Sequence, residues 1–159
     1  MQRATLGILL LLLSGCVTIP ADIAPVRGFE LERYLGRWYE IARLDHGFER
    51  GLTHVTADYH LLEDGRVRVV NRGYRPEEGR WETAEGVARF VGPPDVGRLK
   101  VSFFGPFYGA YNIIALDMAA YDWALVCGPN RSYLWILART PQLDPVVTAK
   151  LIDQARAQG

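Results

Sequence analysis

The sequence predicts an all-β protein: an eight-stranded antiparallel up-and-down barrel with one C-terminal α-helix packed outside it. Three observations carry this expectation. From residue 37 onward the chain is a series of short alternating apolar and polar segments. Glycine, proline and acidic residues punctuate them, as in strands joined by tight turns. Glu63-Asp64-Gly65 lies between two such segments, and an Asp-Gly pair flanked by alternating runs marks a hairpin. After residue 143 the period changes. Asp144 is placed to cap a helix with Pro145 at its first position. Val147, Leu151 and Ile152 then share one face, with Lys150, Asp153 and Arg156 largely elsewhere.

The N-terminus reads as a secretion and tethering signal. Arg3 supplies one positive charge, and the apolar run 6–13 follows. A membrane span needs roughly twenty apolar residues, so this run fits the core of a signal peptide instead. Leu13-Ser14-Gly15-Cys16 resembles the lipobox of bacterial lipoproteins. That resemblance implies cleavage before Cys16 and acylation of Cys16, with the acyl chains holding the protein to a membrane. Val17 stands where an aspartate tends to retain such lipoproteins in the inner membrane. The resemblance therefore implies the outer membrane, on its periplasmic face. The expected organisation is a signal peptide over 1–15, a lipid-anchored leader over 16–27 holding Pro20 and Pro25, and a single domain over 28–159. That length suffices for one core.

The strands are expected at 37–44, 55–62, 66–73, 80–91, 98–104, 110–116, 122–128 and 133–139. Gly92-Pro93-Pro94-Asp95-Val96-Gly97 breaks the chain, because adjacent prolines cannot donate to a ladder. Residues 105–109 read as a second loop. Eight strands close around a space that is either filled by side chains or holds one small ligand.

Composition narrows the function. Eighteen basic residues balance 18 acidic ones, with no long run of either sign. That speaks against a nucleic-acid partner and against an electrostatic membrane dock, which leaves attachment to acylated Cys16. With Cys16 committed to lipid, Cys127 has no intramolecular partner. Its apolar surroundings make it a small buried hydrophobe. The 3 histidines, His46, His54 and His60, fit no helical zinc motif, and no serine or cysteine stands in a nucleophile elbow. No catalytic residue, metal or cofactor is expected.

Gly36-Arg37-Trp38-Tyr39-Glu40 opens the first strand, and Tyr133-Leu134-Trp135-Ile136-Leu137-Ala138-Arg139 forms the last. Together they resemble the lipocalins, whose Gly-x-Trp tryptophan packs beneath an arginine closing the final strand. The resemblance covers about residues 28 to 155. It points to bacterial outer-membrane lipocalins and their animal relative apolipoprotein D. Gly36, Trp38 and Arg139 then have structural roles, since a guanidinium on an indole face is favourable by up to ~2 kcal/mol when desolvated. The family's Thr-Asp-Tyr motif survives only as Leu116-Asp117, with Tyr121 displaced downstream. A longer or shifted turn is expected there.

Alternation then selects an inner wall. The inward sets are Glu40 and Ala42; Ala57, Tyr59 and Leu61; Val67, Val69, Asn71 and Gly73; Ala84, Gly86, Ala88 and Phe90; Leu99, Val101 and Phe103; and Tyr133, Trp135 and Leu137. Of these, Glu40, Tyr59, Val67, Val69, Asn71, Val101, Phe103, Tyr133 and Trp135, with Phe107 as a lip at the mouth, are the candidate ligand contacts. Arg75 and Arg131 stand near the mouth, where they are free either to meet a head group or to be solvated. A greasy wall with a few polar groups suits a long apolar ligand with a polar head. The resemblance implies a fatty acid or lysophospholipid, stored or transported at the cell envelope without chemistry. Two other readings stay open. One is a tethered interaction module with a filled barrel; the other is a lipid-modifying enzyme on the same scaffold, using Glu40. A homodimer is also left open.

Overall fold

A computed structural model describes residues 17–159; Cys16 and the signal segment lie outside the described residues. A short helix α1 (Leu31–Tyr34) leads into β1 (Gly36–Arg43), β2 (Thr53–Leu61), β3 (Val67–Arg75), β4 (Arg80–Phe90), β5 (Arg98–Phe104), β6 (Phe107–Leu116), β7 (Trp123–Cys127) and β8 (Leu134–Ala138). Each strand pairs antiparallel with the next and β8 returns to β1, which closes the barrel. Helix α2 (Pro145–Ala157) follows, its N-terminus capped by the Asp144 carboxylate, which accepts from the Val146 and Val147 amides. Leu151 is buried beneath the helix, with Val147 and Ile152 beside it. The expected fold class is the observed one.

Two differences from simple alternation shape the interior. Register shifts interrupt β1 between Glu40 and Ala42, and β6 between Ile113 and Ala115. A bulge puts two consecutive residues on one side. Ile41 and Ala42, like Ile114 and Ala115, therefore face the outer layer under α2, while Ile113 and Leu116 belong to the lumen. Ala42 is thus outside the barrel and Arg43 turns inward. Leu61, the last residue of β2, is exposed and lies beyond the inner wall. Residues 105–109 are not a loop. Gly105 and Pro106 make the whole connection, and Phe107 already pairs with Phe104 in the β5–β6 ladder.

The base is closed by the interaction that the motifs imply. The Arg139 guanidinium carbon lies 4.0 Å from the Trp38 ring centroid, and Trp38 is fully buried. Arg139 Nη1 donates to the Leu35 and Arg37 carbonyls at 3.0 Å. Nη2 donates to the Arg33 carbonyl at 2.6 Å, and Nε to that of Tyr121 at 3.3 Å. Trp38 Nε1 donates to the Tyr34 carbonyl at 2.8 Å. Gly36 has φ +90° and lies directly under Arg139, so a side chain there meets backbone strain. The turn from Asp117 to Asp122 is lengthened, as the displaced Tyr121 suggests. The Asp117 carboxylate accepts from the Ala119, Ala120 and Asp122 amides. Tyr121 is buried, and its hydroxyl accepts from the Glu30 amide at 3.0 Å.

The leader is packed, not trailing. The Val26 amide donates to Ile113 and the Gly97 amide to Val26. Ile23 is buried in the outer layer. Asp22 pairs with Arg131 at 2.6 Å, and Thr18 Oγ1 donates to the Pro129 carbonyl at 3.1 Å.

Arg139→Lys keeps the charge but loses the planar fork that reaches several carbonyls at once. It should lower unfolding free energy by about 1–3 kcal/mol, read by urea denaturation. An unchanged midpoint would show that the barrel closes without this contact.

Candidate ligand-binding site

The lumen contains a cavity of about 100 Å³, several times the ~15 Å³ that a single water requires. Its wall combines residues from most of the barrel. β1 contributes Glu40; β2 Val55, Ala57 and Tyr59; β3 Val67, Val69 and Asn71; β4 Ala88; β5 Leu99, Val101 and Phe103; β6 Ala110 and Tyr111; β8 Trp135 and Leu137. Most of these are aliphatic or aromatic. Of the candidate contacts, Glu40, Tyr59, Val67, Val69, Asn71, Val101, Phe103 and Trp135 come together here. Gly86 does not add room. Phe103 lies across it, and a Cβ there would stand 2.6 Å from the Ser102 carbonyl oxygen and 2.8 Å from the Phe103 ring.

Two expected wall residues lie elsewhere. Tyr133 precedes β8 and is not among the cavity-lining residues; its side chain lies against the bare backbone of Gly128, with its ring 5.5 Å from that of His46 and 6.3 Å from that of Trp135 beside the mouth, and it lines a second cleft beside α2. Phe107 stands at the tip of the β5–β6 hairpin, beyond the lumen, and is 65% exposed. The two mouth arginines are held away from the cavity. Arg75 forks onto Glu82 and reaches the Arg50 carbonyl; Arg131 is engaged with Asp22 and the Gln158 carbonyl.

The polar groups of the cavity collect at its two ends. At the mouth, Arg43 forms an ion pair with Glu40 and donates to the Glu49 and Leu52 carbonyls at 2.9 and 3.0 Å. The Trp135 indole donates to Glu49 Oε2 at 2.9 Å. His46 Nε2 is also 2.9 Å from that oxygen. It is poorly aligned for a hydrogen bond, and both buried ring nitrogens lack a hydrogen-bond partner among the described residues. The His46 ring stacks on Phe48 at 4.1 Å. Towards the base, the Tyr34 and Tyr59 hydroxyls both hydrogen-bond the Tyr111 hydroxyl, at 2.7 and 2.8 Å. Between these ends, Asn71 Oδ1 is buried without a hydrogen-bond partner among the described residues.

Burial sets the titration of the mouth cluster. It raises the Glu40 carboxyl, the charge of Glu49 adding to the effect and Arg43 opposing it. It raises Glu49 too, against the Trp135 indole and Arg43. Burial and then Arg43 push the His46 imidazole down. Sequence parity missed Arg43, because a bulge cannot be read from alternation. It also missed His46 and Glu49, which act from the loop between β1 and β2. The tyrosine partners Tyr34 and Tyr111 were equally hidden, since their meeting depends on which strands close the barrel.

Residues 29–159 match the family described as a lipocalin-like domain. The chain is 52% identical over 148 residues to the outer membrane lipoprotein Blc of Vibrio cholerae serotype O1, covering 93% of this chain and 86% of that protein. It is 54% identical over 142 residues to outer membrane lipoprotein Blc of Escherichia coli K12, covering 89% and 80%. The structure of insecticyanin from the tobacco hornworm Manduca sexta shares the fold, with a TM-score of 0.67 at 23% identity over 89% of this chain and 79% of that one. An eight-stranded antiparallel calyx closed by Arg139 on Trp38 defines the barrel class, and this chain belongs to the lipocalin family within it. Its kinship with these bacterial lipoproteins supports an outer-membrane lipoprotein localisation.

A carboxyl whose pKa rises on folding holds its proton more tightly in the folded state. Glu40 therefore contributes most favourably below its ordinary value of 4.5, and that contribution is lost as pH rises through the raised value. Glu40→Gln removes this dependence. Denaturation series between about pH 4 and about pH 7 should show the parent losing stability relative to the variant as pH rises. Parallel profiles would refute the burial of this carboxyl.

Proposed function

We propose that the protein binds fatty acids or lysophospholipids in its barrel and stores or carries them at the periplasmic face of the outer membrane, tethered by acylated Cys16. The acyl chain occupies the apolar middle of the lumen, and the polar head stays among Glu40, Arg43, His46 and Glu49 at the mouth. The observation that carries this reading is the arrangement of the cavity: an apolar shaft with a buried charged cluster at its mouth end. Removing a hydrocarbon tail from water contributes about 25 cal/mol per Å², less the cost of ordering the chain. Asn71 Oδ1 offers an acceptor along the way to any donor on the ligand. The mouth groups orient the ligand and carry out no covalent step on it.

Mass spectrometry of solvent extracts from natively purified protein should recover an acyl lipid in about one-to-one ratio with the chain. Val69→Asp places a charge in the apolar shaft and Ala57→Phe fills it. Both should reduce affinity for a lysophospholipid by at least ~100-fold, measured by Trp135 quenching, and Ala57→Phe should leave the β-sheet circular dichroism unchanged. Lipid-free protein with undiminished binding in both variants would overturn the assignment. Glu40→Gln with turnover of a bound lipid lost and binding retained would make it an enzyme instead.

A further inference from the structure

We propose that the outer wall formed by β3, β4 and β5 is an electrostatic docking face, on which the barrel rests against the anionic phospholipid head groups of the leaflet holding its anchor. The inference rests on the acylated Cys16 reading and adds a contact surface to it. It starts from alternation. Residues that alternate with the lumen-lining Val67, Val69, Asn71, Ala88, Leu99 and Val101 point away from the cavity. Among them are Arg68, Arg72, Arg89, Arg98 and Lys100. Among the described residues, Glu85 is the only carboxylate on that face of these strands, and Arg68 forks onto it at 3.0 and 2.8 Å. Arg72, Arg89, Arg98 and Lys100 form no ion pair among the described residues. Equal totals of acidic and basic residues, which speak against a charged dock, conceal a segregation that only the fold creates.

Two features set this wall apart from scattered, solvated charge. Arg89 and Lys100 are direct cross-strand partners in the β4–β5 ladder. Like charges placed opposite one another destabilise a sheet, and an anion lying between them removes that repulsion. Lys100 meanwhile holds its ammonium over the Tyr108 ring, 4.7 Å from the centroid. The second feature is position. α2 and Ile23 of the leader pack over β1, β6, β7 and β8, on the far side of the barrel, and leave this wall facing outward.

The leader delivers its lipid to the edge of the same wall. Arg98 Nη2 donates to the Val17 carbonyl at 3.3 Å. Asn112, the partner of Arg98 on β6, donates to the Thr18 carbonyl at 3.3 Å. Cys16 is the next residue, so its acyl chains leave the protein beside β5. A leaflet receiving them meets Arg98 first, then Lys100, Arg89, Arg68 and Arg72 across the sheet. From β5 to β3 is roughly 10 Å, about one Debye length at 0.1 M salt. The anchor therefore holds the whole basic wall within range of an anionic surface.

The test places the full acylated chain on vesicles of phosphatidylethanolamine with or without phosphatidylglycerol. An environment-sensitive dye at Val70→Cys reads the wall, and one at Asp153→Cys reads α2. Cys127 is buried and does not compete for label. With phosphatidylglycerol present and about 0.02 M salt, a head-group quencher should act at least ~5-fold more strongly at position 70 than at 153. The ratio should fall towards one at about 0.5 M salt, where screening is short-ranged. Lys100→Glu turns the like-charged pair with Arg89 into an opposite one, so it should raise the unfolding midpoint while cutting the quenching ratio at least ~2-fold. Equal quenching at both positions, a ratio indifferent to phosphatidylglycerol or to salt, or an undiminished ratio in Lys100→Glu would overturn the docking face and leave the anchor intact. Shielding of the wall dye by added polyglutamate but not by vesicles would reassign the face to an acidic macromolecule. A chain that floats with vesicles at low salt but not at high salt would sink the anchor reading alone, and one that floats at neither would sink both.

Discussion

Arg139 holds together parts of the chain that are remote in sequence but must meet at the base. Its guanidinium bridges the carbonyls of Arg33, Leu35, Arg37 and Tyr121 while covering the Trp38 indole. α1, the start of β1, the β6–β7 turn and the end of β8 are thereby tied at one point. Burial lowers the arginine's pKa from its ordinary value, but the carbonyl oxygens compensate the loss of water, which makes a cation tolerable there. The Phe29 and Tyr121 rings complete the floor, 6.5 Å apart. With the base sealed, the barrel has one open end, and any ligand enters and leaves by the mouth.

The two bulges give the barrel its second packing layer. In a regular strand every second residue is available to the lumen, and an outer helix meets only the alternate set. In β1 and β6 the shifted register gives the outer layer two successive side chains, Ile41 with Ala42 and Ile114 with Ala115. α2 packs on that widened apolar strip through Leu151. The same shift turns Arg43 inward, where it neutralises part of the Glu40 and Glu49 charge. A packing device on the outside therefore determines the electrostatics inside.

Much of this was legible in the residues because local chemistry and global fold agree. Asp64-Gly65 makes its turn, Asp144-Pro145 starts its helix, and Gly36, Trp38 and Arg139 meet as their motifs imply. Alternation also placed Val67, Val69, Val101 and Trp135 in one wall. It failed where a property is not periodic. Ala42 lies beyond a bulge and Leu61 at the open end of a strand, while Tyr133 falls just before one. Phe107 looked like part of a loop because glycines flank it, yet Gly105 and Pro106 suffice for the turn. The mouth cluster was the least legible part. His46 and Glu49 belong to a connection whose path depends on the strands it folds over, and their burial depends on Trp135 of β8, remote in sequence, as well as on Phe48 beside them.

The packed leader changes what a tether means for this fold. A disordered leash leaves a barrel free to rotate above a membrane, because a flexible chain transmits force but not orientation. Here the segment from Thr18 to Phe29 is fastened at intervals. Thr18 holds Pro129, Asp22 holds Arg131, Val26 bonds both Gly97 and Ile113, and the Phe29 amide donates to Asp95. Ile23 is buried against the same outer layer that receives α2. The fastenings fall on the β7–β8 loop, the β4–β5 connection and β6, so the leader cannot lift from one without straining the next. The point at which the chain leaves the barrel is therefore a property of the folded domain. The contacts that fix this exit point are the ones that stabilise the outer wall, so the course of the leader and the packing of the barrel are set together.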